Sequence, residues 1–142
     1  MSLTIAKKVL EEGGYTCVLT DGTSFHTSTH RGVRPLIQFL EKKNIPAHLF
    51  AADKVVGKAT AYLYVLLRVQ ALYAKVISQP AMAVLEKHGI AVSYDTLVPN
   101  IINRRGDGIC PFEAAVTACN DPDSAYSAIL KKMDELHIPL WD

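Results

Sequence analysis

Cys110, Pro111, Phe112 and Glu113 stand in a row. Pro111 suits the first position of a helix, which puts the Cys110 thiol at the cap and the Glu113 carboxylate at the third helical position. A thiol there faces the positive end of a helix, and Arg104 and Arg105 lie just upstream. Both effects favour thiolate, so Cys110 is a candidate nucleophile or redox-sensitive group, with a small helix cap as the plainer reading. Asn103 and Arg104 open a segment that continues through Gly106 and Gly108 to Ile109. Guanidinium groups beside glycines are what a loop cradling phosphate or carboxylate requires, namely exposed N–H groups, backbone freedom and positive charge. A solvated loop is the alternative. The segment is neither a Walker loop nor a dinucleotide-binding fingerprint.

Further polar groups gather in the stretch 51–67, AADKVVGKATAYLYVLL. Apolar side chains fall on every face of a 3.6-residue turn, which reads as a central buried helix. Asp53 is placed to cap its first turn, while Lys54 opposes the helix dipole unless an anion compensates it. Lys58 lies within an otherwise buried helix, where a charge must reach a partner or solvent. Gly57 lets another backbone or a ligand come close. Ser78 ends a strand just before Pro80 opens a helix, so its hydroxyl and the free N–H groups of that first turn point to the same rim, although a turn-forming serine explains it too. The five histidines show no metal-ligand spacing, and neither a metal site nor a cofactor is expected. Cys17, in a strand, and Cys119, near a helix end, read as packing residues.

The remaining elements must position these groups. Residues 3–12 form a short amphipathic helix with a glycine stop. Residues 15–20 and 24–28, joined by Asp21 and Gly22, read as a hairpin. Pro35 opens a helix that runs to Lys43. After the central helix come a strand at 71–77, a helix at 80–88 with Gly89 past its end, and a strand at 90–94. Residues 98–103 read as a further edge strand, 111–118 as a helix, and 122–136 as a final helix capped by Asp121. Strands alternating with helices imply parallel pairing and right-handed crossovers. The expectation is a single three-layer α/β/α domain whose mixed sheet is begun by a β-hairpin, with ligands held outside the carboxyl ends of the parallel strands.

Composition narrows the classes. A chain of 142 residues, 49% hydrophobic, accommodates one full core. A net charge of +1 without basic blocks argues against a nucleic-acid surface and for a small partner. No apolar run approaches the ~20 residues that span a bilayer, and charges at Lys7, Lys8, Glu11 and Glu12 break any signal-peptide core. Three cysteines without metal-ligand pairing fit free thiols in the cytoplasm. A homo-oligomer is compatible with all of this.

The order of hairpin, helix, strand, buried helix opened by a polar motif, strand, proline-led helix and strand resembles the cytidine-deaminase fold. The segments YTCVLTDG, RGVRPLIQFL, YAKVISQPAMAVLEKHGI and NRRGDGICPFE are similar to those of a family of small uncharacterised prokaryotic proteins in that superfamily. Active deaminases hold zinc through a His or Cys two residues before a catalytic Glu and through Pro-Cys-x-x-Cys. Here the second motif reads Pro80-Ala81-Met82-Ala83-Val84, and the first is missing around Asp53-Lys54-Val55. The resemblance therefore implies a deaminase-like fold without zinc chemistry, whose pocket neighbours Asp53, Lys54, Ser78 and Cys110.

Two readings follow. In the first, a zinc-independent enzyme uses Cys110 as nucleophile and Asp53 or Lys54 for proton transfer on a small anionic or nucleotide-like ligand held by Lys58, Ser78, Asn103, Arg104, Gly106, Gly108 and Glu113. In the second, the domain is non-catalytic and binds or senses a small molecule.

Overall fold

A computed structural model of the chain describes residues 2–30, 32–42, 45–102, 106 and 108–141. The sheet starts where local hydrogen bonding turns the chain. Asp21 Oδ1 accepts the backbone N–H groups of Thr23 and Ser24 at 2.9 and 2.7 Å. Thr20 Oγ1 accepts from Gly22 N at 3.0 Å and donates to the Ser24 carbonyl at 2.7 Å. Gly22 takes a φ of +95°, which glycine adopts without steric cost. These contacts fold β1 (Cys17–Thr20) onto β2 (Phe25–Ser28) as the expected antiparallel hairpin, with Cys17 opposite Ser28.

The strands β3 (Phe50–Val56), β4 (Ala71–Ser78) and β5 (Ala91–Val98) complete a mixed sheet in the order β2-β1-β3-β4-β5. β1 pairs antiparallel with β3, whereas β3, β4 and β5 run parallel. Helices lie on both sides. α1 (Ser2–Gly13) covers one face, where Ala6 and Leu10 pack with Val18, Ala52 and Tyr73. The other face carries α2 (Arg34–Glu41), α3 (Lys58–Leu67), α4 (Gln79–Lys87), α5 (Pro111–Val116) and α6 (Pro122–Glu135). There Leu36, Ile37, Leu63, Leu85 and Ile129 meet Leu19, Ala51 and Leu72 in the main core. The architecture is the expected three-layer α/β/α arrangement. No helix among the described residues is long and apolar enough to cross a membrane.

The capped helices follow from sequence. Asp121 Oδ1 accepts from Ser124 N at 2.8 Å, and Ser78 Oγ accepts from Ala81 N at 3.2 Å, each satisfying a free N–H of a first turn. The stretch 51–67 departs from expectation. Its first six residues are strand, and the helix starts only after Gly57. β3 lies in the middle of the sheet, so Ala51, Ala52 and Asp53 are buried without regard to face, and the alternation that marks a half-exposed strand is lost. Asp53 and Lys54 are therefore strand residues and cap no helix. The edge strand expected at 98–103 is likewise replaced: β5 itself runs to Val98, and Ile102 makes an isolated antiparallel bridge with Ile109.

Leu63, fully buried on α3, tests the main core. Leu63→Ala should lower unfolding free energy by about 2–5 kcal/mol, whereas Leu130→Ala, on the exposed side of α6, should change it by less than about 0.5 kcal/mol, both read from urea unfolding.

Candidate functional site

A helix that begins beneath other elements leaves N–H groups that need acceptors. At the start of α3 these come from α5. Lys58 N donates to Glu113 Oε1 at 2.7 Å, and Ala59 N donates to Glu113 Oε2 at 2.9 Å. Gly57 N is satisfied by Thr60 Oγ1 at 3.1 Å. Gly57 is what admits the carboxylate, because a Cβ there would sit 2.5 Å from the Glu113 carboxyl carbon. Lys58 reaches back, its Nζ donating to the Thr117 carbonyl at 3.1 Å, and Tyr62 donates its hydroxyl hydrogen to the Cys119 carbonyl at 3.1 Å. Lys58 and Glu113, both read from sequence as ligand-binding, are thus brought together. Between them they tie α3 to α5, and the anion at the positive end of α3 is the chain's own carboxylate.

The other candidate residues are more dispersed. Ser78 is buried and caps α4. Cys110 is half-buried before α5, a helix of six residues, and its thiol makes no cap hydrogen bond. Its backbone N donates to the Ile101 carbonyl at 3.1 Å. Asn103 and Arg104 lie outside the described residues, as do Arg105 and Asp107. Of that loop, Gly106 is exposed and Gly108 half-buried. Lys54 has an exposed side chain, and its N–H donates to the Thr16 carbonyl at 3.0 Å. No hydrogen bond joins Cys110 to Asp53 or Lys54 among the described residues. No group of three or more His, Cys, Asp or Glu among them is placed to hold a metal ion.

Asp53 is buried on β3, directly opposite Cys17 of β1. Tyr64 of α3 donates its hydroxyl hydrogen to Asp53 Oδ2 at 2.6 Å, and Asp53 Oδ1 accepts from Val55 N at 3.2 Å. Cys17 Sγ lies 3.4 Å from Tyr64 Oη, completing a chain of thiol, phenol and carboxyl. Burial, resisted by the hydrogen bonds from Tyr64, Val55 and Lys54, pushes Asp53 up to about 7. Burial and then the neighbouring Asp53 charge raise the Cys17 thiol far above its ordinary value, and Tyr64 is raised by the same causes. Cys17 at rest is a thiol, not a thiolate.

Cys17 also lines a cleft of about 350 Å³ between the hairpin and α2. His26, Ser28, His30, Gln38 and Lys42 contribute to its walls. The walls are held in place by bonds across the chain. His26 meets the Phe39 ring edge-on at 4.7 Å between centroids, Gln38 Nε2 donates to the Leu140 carbonyl at 2.6 Å, and Thr16 Oγ1 donates to the His30 carbonyl at 2.5 Å. Sequence reasoning missed this site. The pairing of Cys17 with Tyr64, 47 positions away, leaves no trace in spacing.

These features define a three-layer α/β/α domain with a polar cleft beside its hairpin and a buried carboxyl behind it. The chain belongs to the TM1506 family, a domain of unknown function (DUF1893), whose sequence profile matches residues 5–133. A DUF1893 family protein from Thermotoga maritima, solved by crystallography, is similar in structure with a TM-score of 0.85. It shares 29% sequence identity, over 92% of this chain and 88% of that one. No curated protein matches.

Two predictions test this geometry. Glu113→Ala strips acceptors from two N–H groups and should cost about 1–3 kcal/mol of stability by urea unfolding, and Gly57→Ala, which drives a methyl against the carboxylate, should cost at least as much. Asp53 holds its proton more tightly folded than unfolded. Its contribution to stability is therefore full below its ordinary value of 3.8 and is lost as pH rises toward about 7. The loss should be at most about 1.4 kcal/mol per pH unit in that window, and Asp53→Asn should flatten the profile.

Proposed function

We propose that the domain binds a small anionic or nucleotide-like molecule in the cleft between the hairpin and α2, without catalysis. The observation that carries this reading is the cleft itself: about 350 Å³, the size of a small-molecule site, with Lys42, two histidines and the Ser28 hydroxyl on its walls. Lys42 supplies positive charge, and the imidazoles and hydroxyl supply directional hydrogen bonds to ligand oxygens.

Two observations support a binding role over an enzymatic one. The raised Cys17 thiol is a poor resting nucleophile, and the positive end of α3, where an anionic substrate would be drawn, is filled by Glu113. We further infer a deaminase-like fold that carries no zinc motif, supported by the residues at the starts of the neighbouring helices α3 and α4. Gly57, Lys58 and Ala59 open the first, and Ser78, Gln79, Pro80 and Ala81 open the second. None is a zinc ligand of the deaminase type.

Thermal unfolding with inorganic phosphate and with a nucleoside monophosphate tests the binding reading. At a hundredfold excess over Kd, either ligand should raise the wild-type Tm by roughly 5–10 °C, and Lys42→Glu should remove most of that shift. No shift with either compound, or an equal shift in the variant, would overturn it.

A further inference from the structure

The cleft accounts for the walls but not for what stands behind Cys17. From the cleft inward, Cys17 on β1, Tyr64 on α3 and Asp53 on β3 form one hydrogen-bonded line, with spacings of 3.4 and 2.6 Å. The line has two self-consistent arrangements. With Asp53 ionised, Oδ2 accepts the Tyr64 hydroxyl hydrogen, and Tyr64 Oη in turn accepts the Cys17 S–H. The sulfur then turns only lone pairs toward the cleft. With Asp53 protonated, the new hydrogen belongs on Oδ2, because Oδ1 is already accepting from Val55 N. That hydrogen donates to Tyr64 Oη, the Tyr64 hydroxyl swings to donate to Cys17 Sγ, and the S–H is released toward the cleft.

We propose that uptake of one proton by Asp53 reverses this chain and switches the base of the cleft from a hydrogen-bond acceptor to a hydrogen-bond donor. Anionic, acceptor-rich ligands then bind together with a proton. The proton comes from solvent, the only covalent bond formed is the O–H on Asp53, and the other two hydrogens rotate about their own atoms. The coupling to ligand rests on the cleft reading above, whereas the reversal of the chain stands without it.

The surroundings isolate Asp53 as the group that titrates. Cys17 faces it from β1, Ala74 is its register partner on β4, Tyr64 reaches it from α3, and Lys54 and Val55 offer it only their backbone N–H groups. α1 packs on the opposite face over Ala52. No charged side chain is among the groups that shift it, and burial sets its value near 7. His26, His30 and Lys42 line the cleft on the far side of Cys17.

Infrared spectra of the S–H stretch test the reversal in the ligand-free protein. The Cys17 band is assigned as the one absent from Cys17→Ala, since Cys110 and Cys119 remain. Between about pH 9 and about pH 5 this band should move toward the frequency of a weakly bonded thiol, as a protonated-carboxyl band grows. Asp53→Asn should show neither change. A Cys17 band at the same position at both pH values would overturn the proposal in wild type alone, whatever the variant does.

Sulfate, which does not titrate in this range, tests the coupling at constant ionic strength. Above pH 7 its affinity should fall more steeply in wild type than in Asp53→Asn, by up to about tenfold per pH unit, since both proteins keep the same histidines. Identical profiles would overturn the coupling while leaving the cleft standing. Failure of sulfate to bind either protein would overturn the coupling together with the cleft reading on which it rests.

Discussion

Helix α3 is apolar on all sides, and an element of that kind is stable only when it is enclosed. Its burial requires the sheet beneath it and α2, α4, α5 and α6 around it, which is why so much of the chain is committed to one face. Enclosure creates a second requirement at the helix start, where N–H groups cut off from water must still find acceptors. Glu113 meets it from a segment 55 residues away, and it does so because position 57 has no side chain. The same helix carries the Tyr64 hydroxyl into the core, where it meets Asp53 and Cys17. One buried helix thus sets the packing of the large layer and the polar contacts inside it.

Those polar contacts also separate two uses of a carboxylate. Glu113 sits at a helix end, held by two N–H donors, and serves cohesion. Asp53 is deeply buried and has no charged partner, so burial outweighs its hydrogen-bond donors and its two protonation states lie close together near neutrality. A buried acid with that property is a poor strut and a good sensor, provided its neighbours can pass on the change. The tyrosine and cysteine beside it can each turn a single hydrogen without moving a heavy atom.

The outer elements were legible because their signals are local. Asp21-Gly22 specifies the hairpin, Pro35 and Pro80 mark first turns, and Asp121 caps α6. The centre was not. Ala51, Ala52 and Asp53 belong to a strand buried on both faces, and an apolar run of that kind reads equally as helix, so the sequence reads α3 from position 51, ahead of its true start at Lys58, and gives Asp53 a cap to make. Gly57 is the boundary, and its sequence signal reads only as a place where another backbone or a ligand comes close. Glu113 was placed correctly at the third position of its own helix, yet it bonds to a different one. Cys17 passed as packing because its partner lies 47 residues away. Position in the chain encodes turns and caps well, and encodes contacts between layers hardly at all.

The sheet is also a partition. On one side Ala6 and Leu10 of α1 form a small apolar cluster with Val18, Ala52 and Tyr73, and none of these side chains shares in the larger core across the strands. Lys7 adds a contact over the Tyr73 ring at 4.7 Å. α1 packs through this smaller cluster, on the face away from the larger core. The cleft, the buried hydrogen-bonded line and the α3 latch lie on the other side. The polar interior is thus held by contacts in which α1 takes no part.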